Sequence, residues 1–382
     1  MRIDEDACVY MRVRDGKITL LLLYVDDILC SASSKDLLAE LLAYLRSLFK
    51  LKVMGVPTNI HMAPSQLLGI QLVWGDDFKS VQINASKIVN ELLVESWDNY
   101  GQDAVAHRTP MEPNLRLAES DQLKEPVDED DIAMQSKYRH IVGVLIFLVT
   151  TCRVELSFAL CVLSRSMKNP GRAHYKAAQH VLAYLSNKAD LGIAYYHDGN
   201  RFPYAYADAD FGSDETRRAY MGYMFILAGG PISWKCKMSD AIPLSTCEAE
   251  ILSVHAAHKA CQHAIFLKKF LESIGAETRE MQICTRRRSE LLEPVVIYED
   301  NKAAISWSQN PVSMTKMKHI DRDLKWIRKA VEEKTIVFEW IKSEEQLADV
   351  FTKAVTALVF EHLLPMYMIT KAVFMKNNRR QR

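Results

Sequence analysis

Two groups of carboxylates in this chain could carry metal chemistry. One is the tetrapeptide Tyr24–Asp27, which ends in the adjacent pair Asp26 and Asp27 between apolar, strand-like runs. The other is a spaced set of four in the second half of the chain: Asp208, Glu250, Asp300 and Asp349. Carboxylates a few ångströms apart raise each other's pKa unless a cation lies between them, and hard oxygen ligands favour magnesium or manganese. We therefore predict metal-dependent phosphoryl transfer on nucleic acid.

Strands and helices must position the spaced set. The sequence predicts strands at Tyr204–Ala209, Tyr220–Ala228, Ile232–Cys236, Val295–Tyr298 and Ile336–Ile341, and helices at about Thr246–Ile274, Asn301–Ser308, Ile320–Glu333 and Glu344–Lys353. Three strands, a helix and then alternating elements are typical of a mixed sheet covered by helices. Active groups gather beyond the carboxyl ends of parallel strands in such sheets, so we expect Asp208 and Asp300 to lie side by side.

The four carboxylates together would bind two metal ions. One ion would activate water and the other would stabilise the leaving oxygen of an in-line displacement. Asp210 and Glu248 lie two positions from Asp208 and Glu250, and we expect only one member of each pair to face the site. Acidic residues also cap helices and form turns, but the order of the four elements favours a shared site.

The adjacent aspartate pair lies in a predicted β-meander. Strands are expected at Cys8–Arg14, Ile18–Tyr24 and Ile28–Ala32. Asp15–Gly16 is a hairpin-turn signal, and the second turn would hold the aspartate pair on a rigid support. A helix capped by Ser33 or Ser34 follows.

Composition favours a protein of two or three domains with hydrophobic cores and argues against a zinc-binding or disulfide-stabilised protein. A chain of 382 residues with 49% hydrophobic content can form two or three domains with real cores. Lys and Arg balance Asp and Glu at 48 each, so basic surface for nucleic acid must be local, as at Arg286–Arg288 or Lys376–Arg382. The eight cysteines contain no CxxC pair, which favours reduced thiols and argues against a zinc site or a disulfide framework.

The sequence shows no targeting or membrane segment. The N-terminus is charged from Arg2 to Asp6, unlike a signal peptide. The longest apolar run, Ile141–Val149, is too short to span a bilayer and continues into Arg153 and Glu155. We expect a soluble protein in which this run belongs to a buried core helix.

A series of short motifs runs over about residues 6–355. They are Tyr24–Asp27, Leu68–Ile70, Tyr138–Leu148, Leu163–Arg165, Asn169–Pro170 with His174, Ala207–Asp210, Ser245–Glu250, Glu299–Asn301, Lys318–Asp321 and Leu347–Lys353. In this order they resemble the C-terminal part of the Pol polyprotein of copia-type long-terminal-repeat retrotransposons, which is reverse transcriptase followed by ribonuclease H. The sequence departs from the family pattern at Arg153–Glu155, at Ala219–Met221 and at Lys325, none of which belongs to the carboxylate set.

The resemblance implies an α+β or α/β fold in five segments. These are a partial reverse-transcriptase palm at 1–112, an acidic linker at 113–137, a helical thumb-like or connection segment at 138–200, a ribonuclease H-like mixed sheet covered by helices at 201–355, and a tail at 356–382. The apolar start of the tail could form a docking helix or could be readthrough outside the family.

The resemblance also implies a role for each carboxylate. The ribonuclease H carboxylates would be Asp208 at the first position, Glu250 on the helix, Asp300 and Asp349. In the polymerase site Asp26 would be a metal ligand and Asp27 a supporting carboxylate. The family's polymerase site needs a third aspartate on a strand well upstream, and the sequence before Asp26 does not match that motif. We therefore expect this chain by itself not to polymerise.

Three functions are consistent with these features. The first is hydrolysis of the RNA strand of an RNA–DNA hybrid by 201–355 with two magnesium ions, or manganese, where the hybrid is selected by its shape and 2′-hydroxyl groups. The second is a working part of a larger RNA-directed DNA polymerase, and the third is an inactive remnant that only binds nucleic acid. The implied partners are the hybrid and other parts of the Pol polyprotein, with no membrane. The implied location is virus-like particles in the cytoplasm, or the nucleus.

Overall fold

The computed structural model describes residues 2–4, 6–52, 66–75, 79–97, 107–126, 128–200, 202–210, 218–239, 259–267, 269–270, 294–309 and 318–380. Contacts divide the chain into two compact units. The smaller unit comprises Met1–Pro64, Cys261–Val295 and Lys329–Val337, and the larger comprises Ser65–Ala260, Val296–Arg328 and Phe338–Arg382.

The smaller unit contains the predicted β-meander. Its strands are β1 (Val9–Arg14), β2 (Lys17–Tyr24) and β3 (Asp27–Ala32), paired antiparallel in the order β1-β2-β3. The first turn is formed by Asp15 and Gly16, both at positive φ as this signal predicts. Helix α1 (Lys35–Leu48) follows, and the Ser34 side chain accepts a hydrogen bond from the Leu37 backbone N–H at its start.

One five-stranded sheet of the larger unit joins strands that are distant in sequence. Its order is β13-β7-β6-β5-β4, with neighbours antiparallel. The strands are β4 (Gln66–Leu67), β5 (Ile70–Trp74), β6 (Ser80–Asn84), β7 (Leu191–Tyr196) and β13 (Ile369–Thr370). Four helices supply much of the core beside it: α2 (Ser86–Ser96), α3 (Glu129–Thr151), α4 (Ser157–Ser164) and α5 (Arg172–Asn187).

Helix α3 starts inside the predicted acidic linker. Asp128 is its N-cap, and the Asp128 carboxylate accepts a hydrogen bond from the Asp131 backbone N–H at 2.8 Å. The acidic run Asp128–Asp131 therefore stabilises the positive end of the dipole of α3.

Helix α3 is also long and apolar enough to cross a membrane by length and composition. Yet Tyr138, Ile141, Leu145 and Leu148 on it are completely buried in the core of the larger unit, as predicted for a core helix. After the helix, Arg153 Nε donates to Glu155 Oε1 at 2.7 Å, and both side chains are fully buried.

The second five-stranded sheet is the predicted mixed sheet. Its order is β10-β9-β8-β11-β12, in which β8 pairs antiparallel with β9 and parallel with β11. The strands are β8 (Tyr204–Asp210), β9 (Tyr220–Leu227), β10 (Gly230–Met238), β11 (Val295–Glu299) and β12 (Ile336–Trp340). Helices α6 (Lys302–Gln309) and α7 (Lys318–Glu332) follow β11. This architecture is compatible with a ribonuclease H-like fold.

The predicted continuous helix at 344–353 is wrong. The structure has a 3₁₀ turn at Ser343–Glu345 and a separate short helix α8 (Asp349–Thr352). Gln346 lies between them with an extended backbone (ψ 99°). Its buried side chain accepts a hydrogen bond from the Ala348 N–H at 3.2 Å, which replaces the helical bond that the chain gives up there.

Residues 356–380 pack into the core of the larger unit. They form helices α9 (Ala357–Leu363) and α10 (Lys371–Arg380) and strand β13, which pairs with β7. Gln82 Nε2 donates to the Ile369 carbonyl at 2.6 Å, and Ser80 Oγ donates to Asn378 Oδ1 at 2.7 Å. Phe374 is completely buried. Of the two alternatives left by the sequence, the docked one is observed.

Candidate active site

Strands β8 and β11 place two of the predicted carboxylates on one face of the mixed sheet. Tyr206 is the register partner of Tyr298, and their ring centroids lie 5.1 Å apart. Because every second residue of a strand points to the same face, Asp208 follows Tyr206 on that face of β8. Asp300 directly follows the last residue of β11, and its charge raises the pKa of Asp208. Asp208 is buried, and Asp300 is half-buried. The strands β8 and β11 are paired neighbours, and the shared role of the two carboxylates stays a prediction.

Helix α8 brings Asp349 to the same end of β8. Gln346 Nε2 donates to the Ala207 carbonyl oxygen at 3.0 Å and so ties the segment before α8 to β8. Gly222 on β9 is the register partner of Asp208, and a Cβ built there would collide with the Cβ of Phe351 on α8. The helix can therefore lie directly against β9 only because residue 222 has no side chain.

Each described carboxylate of the set has a polar partner. Thr352 Oγ1 donates to Asp208 Oδ2, and Lys353 Nζ lies 3.0 Å from Asp349 Oδ1. Ser343 Oγ donates to Asp300 Oδ2 at 2.6 Å. A short stretch of chain, 343–353, thus contributes both one carboxylate and the groups that orient the other two.

Burial makes negative charge costly at this site. Burial and the charge of Asp208 raise the pKa of Asp349 to about 7, although Lys353 acts in the opposite direction. Burial likewise raises the pKa of Asp208, and the charges of Asp300 and Asp210 add to the effect. Carboxylates that repel one another in a low-dielectric site are stabilised in the charged form by a cation beside them. Here the ammonium group of Lys353 is such a cation.

The expectation that only one of Asp208 and Asp210 faces the site is wrong. Residues two apart on a strand project from the same face, and both lie on β8. The charge of Asp210 raises the pKa of Asp208 and that of Lys353. Asp210 Oδ2 is buried and has no hydrogen-bond partner within the described part of the chain.

Two predicted residues lie where their structure is not described. Glu250, assigned to the long helix, and its neighbour Glu248 are both outside the described residues. The place of Glu250 in the site, and the expectation that only one of the two glutamates faces it, stay predictions.

Glu299 is a buried carboxylate next to Asp300 that does not belong to the predicted set of four. It is completely buried; its Oε1 accepts from the Asn301 N–H at 3.2 Å, and its Oε2 has no partner among the described residues. Burial and the charge of Asp208 raise its pKa well above the usual range. The sequence does contain a signal that Glu299 is buried. Glu299 occupies the same alternating positions of β11 as the buried residues Val295 and Ile297.

The donor chemistry of the site suits a hard divalent cation. All the candidate ligands are carboxylates, and the unpartnered Asp210 oxygen shows that the described protein groups do not satisfy the cluster by themselves. Among the described residues, no group of three or more histidine, cysteine, aspartate or glutamate side chains is arranged to hold a metal ion. Metal binding therefore stays a prediction.

The aspartate pair of the smaller unit is exposed at the tip of a hairpin. Val25 and Asp26 form the turn between β2 and β3, and Asp27 opens β3 opposite Tyr24. Val25 has a φ of 50°, which is unusual for a β-branched residue. Within the described residues, neither aspartate side chain has a hydrogen-bond or ion-pair partner. The predicted position of the pair in the second turn is confirmed, while its metal role stays a prediction.

Known proteins similar to this chain are transposon polyproteins. The "Retrovirus-related Pol polyprotein from transposon TNT 1-94" of Nicotiana tabacum is 30% identical over 361 residues, which cover 94% of this chain and 25% of that protein. The corresponding polyproteins of transposons RE2 and RE1 of Arabidopsis thaliana are 30% and 28% identical, over 94% and 96% of this chain and 22% and 23% of theirs. The chain thus spans about a quarter of the length of these relatives. No family model and no solved structure matches it.

Proposed function

The chain belongs to the family of copia-type retrotransposon Pol polyproteins, and from this we propose that its residues 201–355 hydrolyse the RNA strand of RNA–DNA hybrids. One observation carries the proposal. Asp208 lies near the end of β8, and Asp300 directly follows the neighbouring parallel strand β11. Asp349 lies beside Asp208 on a helix whose preceding segment Gln346 ties to β8 and which packs on β9 at Gly222.

Asp208, Asp300, Asp349 and the undescribed Glu250 are the proposed ligands of two magnesium or manganese ions. When bound, the ions would supply an activated water and a stabilised leaving oxygen. Thr352 would orient Asp208 by occupying one of its oxygens, and Ser343 would do the same for Asp300. Lys353 would balance the buried negative charge of Asp208 and Asp349 whenever cations are lacking.

The proposed substrate is a duplex with one RNA strand. Such a hybrid is recognised mainly by groove shape, phosphates and 2′-hydroxyl groups, with little reading of bases. A chain with no net charge would bind it through local contacts. The proposed setting is a virus-like particle in the cytoplasm or the nucleus, together with other parts of the Pol polyprotein.

The deciding experiment uses purified protein and an end-labelled RNA–DNA hybrid with magnesium. We expect RNA cleavage that is abolished by a chelator and by Asp300→Asn, because each removes part of the metal site. Asp198→Asn is the matched control, since Asp198 is an exposed aspartate of the same unit. If the folded protein cleaves nothing with either magnesium or manganese, the proposal fails and an inactive nucleic-acid-binding remnant is the better description.

A second proposed function is participation in a larger RNA-directed DNA polymerase. The observation that favours it is the exposed Asp26 and Asp27 pair on a rigid hairpin, together with relatives about four times as long. The test is primer extension by this chain when it is joined to the preceding region of a relative's Pol polyprotein. We expect extension that Asp26→Asn abolishes. Extension that survives this substitution contradicts a role for the hairpin.

A further inference from the structure

The rim of the carboxylate site carries an exposed tryptophan. Trp340 is the last residue of the edge strand β12, and 49% of it is exposed. Among the tryptophans whose exposure the structure describes, Trp340 alone is exposed. An exposed indole ring does not gain the large favourable free energy of burying its apolar surface. The exposed position of Trp340 therefore suggests that a binding partner covers the ring.

The ring is fixed beside a proposed metal ligand. Trp340 Nε1 donates to the backbone carbonyl oxygen of Asp300 at 3.1 Å. The only polar group of the side chain is therefore already satisfied, and the surface that remains free is aromatic. This bond links the ring directly to the residue whose carboxylate Ser343 orients.

A cation accompanies the ring. Lys302 Nζ lies 4.5 Å from the centroid of the Trp340 ring, within the range of a cation–π contact. Lys302 is exposed, and no carboxylate pairs with it in the described part of the chain. The cation–π contact alone does not cover the indole, because half of the residue is still exposed with Lys302 in place.

We propose that Trp340 and Lys302 form a contact for the backbone of the nucleic-acid substrate next to Asp300. The indole packs against a sugar at the edge of the groove, and the ammonium group pairs with a neighbouring phosphate. An aromatic face combined with a cation is a common way to hold a sugar–phosphate backbone without reading bases. This inference rests on the proposed hydrolysis of hybrids and names two residues that would hold the hybrid for it.

The test measures binding separately from cleavage. In an Asp208→Asn background, which prevents cleavage, the Kd of a fluorescein-labelled RNA–DNA hybrid is measured by anisotropy at several salt concentrations. We expect Trp340→Leu to weaken binding by about 10-fold and Trp340→Phe, which keeps an aromatic face, to retain most of the affinity. Lys302→Gln should lower the slope of log Kd against log salt by about one, and Lys302→Arg should restore it.

Matched controls lie elsewhere in the same unit. Phe202→Leu removes another half-exposed aromatic ring and Lys371→Gln another exposed cation, and both should bind as the parent does. Parental affinity in Trp340→Leu and Lys302→Gln overturns the contact, as does equal weakening in the two controls or a parent that does not bind the hybrid.

The outcomes also separate this contact from the proposed function. With Asp208 restored, the contact predicts a raised KM and an unchanged kcat for RNA cleavage by Trp340→Leu. Hybrid binding that depends on Trp340 and Lys302, in a protein that cleaves no RNA, supports the contact and contradicts the hydrolysis. Cleavage with unchanged binding in the variants contradicts the contact alone.

Discussion

The two acidic groups of this chain have similar residue types and opposite surroundings. Asp208 and Asp349 are buried between a sheet and a helix, and Lys353 and Thr352 contact them. Asp26 and Asp27 extend into water from a hairpin, and no described residue pairs with either carboxylate. The difference shows that a buried carboxylate requires specific polar or charged partners, because burial removes the water that would otherwise solvate its charge.

The surroundings also determine whether each acidic group needs ligands from outside this chain. At the sheet, burial and mutual repulsion raise the pKa values of Asp208 and Asp349. A divalent cation bound there would relieve this repulsion, which favours its binding. At the hairpin, water screens the charge of the aspartates. We therefore expect the sheet site to act within this chain, whereas the hairpin pair would depend on additional ligands.

The largest expected effect comes from removing single carboxylates. Asp208→Asn, Asp300→Asn and Asp349→Asn should each lower RNA cleavage by about 1,000-fold, since a metal contributes several kcal/mol of charge stabilisation. Asp26→Asn and Asp27→Asn should leave cleavage of the hybrid unchanged. Initial rates with saturating magnesium check both halves, and a hairpin variant that loses cleavage would show that the two acidic groups act together.

The next effect concerns the close packing of helix α8. Gly222→Ala places a Cβ against the Cβ of Phe351 and must displace the helix that carries Asp349. We expect a loss of about 1–3 kcal/mol in unfolding free energy and about 100-fold in cleavage rate. Gly143→Ala on α3 is the control, because nothing lies within 4 Å of its added Cβ. Full activity in Gly222→Ala would show that the position of α8 is unimportant.

A smaller loss is expected when the hydroxyl that orients Asp208 is removed. Thr352→Val keeps the shape of the side chain and removes its donor, so it should reduce cleavage and the apparent affinity for magnesium by about 10–100-fold. Thr352→Ser keeps the donor and should stay close to the parent. Magnesium titrations of the cleavage rate distinguish the two variants, and equal behaviour of both would exclude the hydrogen bond as the cause.

Asp349 should make the stability of the folded protein depend on pH. In chelator, Asp349 holds its proton up to a pKa of about 7 in the folded state, whereas its ordinary value is 3.8. The stability it contributes is present below pH 4 and is lost as the pH rises to about 7. Asp349→Asn should therefore remove part of the fall in Tm over that interval. An unchanged difference in Tm between pH 4 and 7 in Asp349→Asn would contradict the raised pKa.

The smallest effect is expected at the hairpin turn. Val25 has a positive φ, which costs an L-residue roughly 1–2 kcal/mol. Asn tolerates this conformation, so Val25→Asn should raise the unfolding free energy by about 1 kcal/mol without altering RNA cleavage. Denaturant unfolding with parallel cleavage assays measures both, and a lower stability would mean that Val25 is not strained.

Local patterns predicted most of the elements that support the site. Apolar runs and turn signals gave the meander, the strands β8, β9 and β11, and the ends at which Asp208 and Asp300 lie. The local patterns failed where a side chain of the predicted element binds the backbone of a distant strand. The helix predicted at 344–353 is interrupted because Gln346 binds the Ala207 carbonyl of β8.

The sequence by itself determined which residue types are available, the alternation of strands and helices, and the relationship to copia-type Pol polyproteins. These follow from periodicity and motif order, which are local properties of the chain. Only the tertiary structure decided that Asp349 lies close to Asp208, that Glu299 is buried nearby, and that Ile369–Thr370 completes a sheet. Such outcomes depend on contacts between residues far apart in the chain, because burial and partner distance, rather than residue type, set the free energy of a charge.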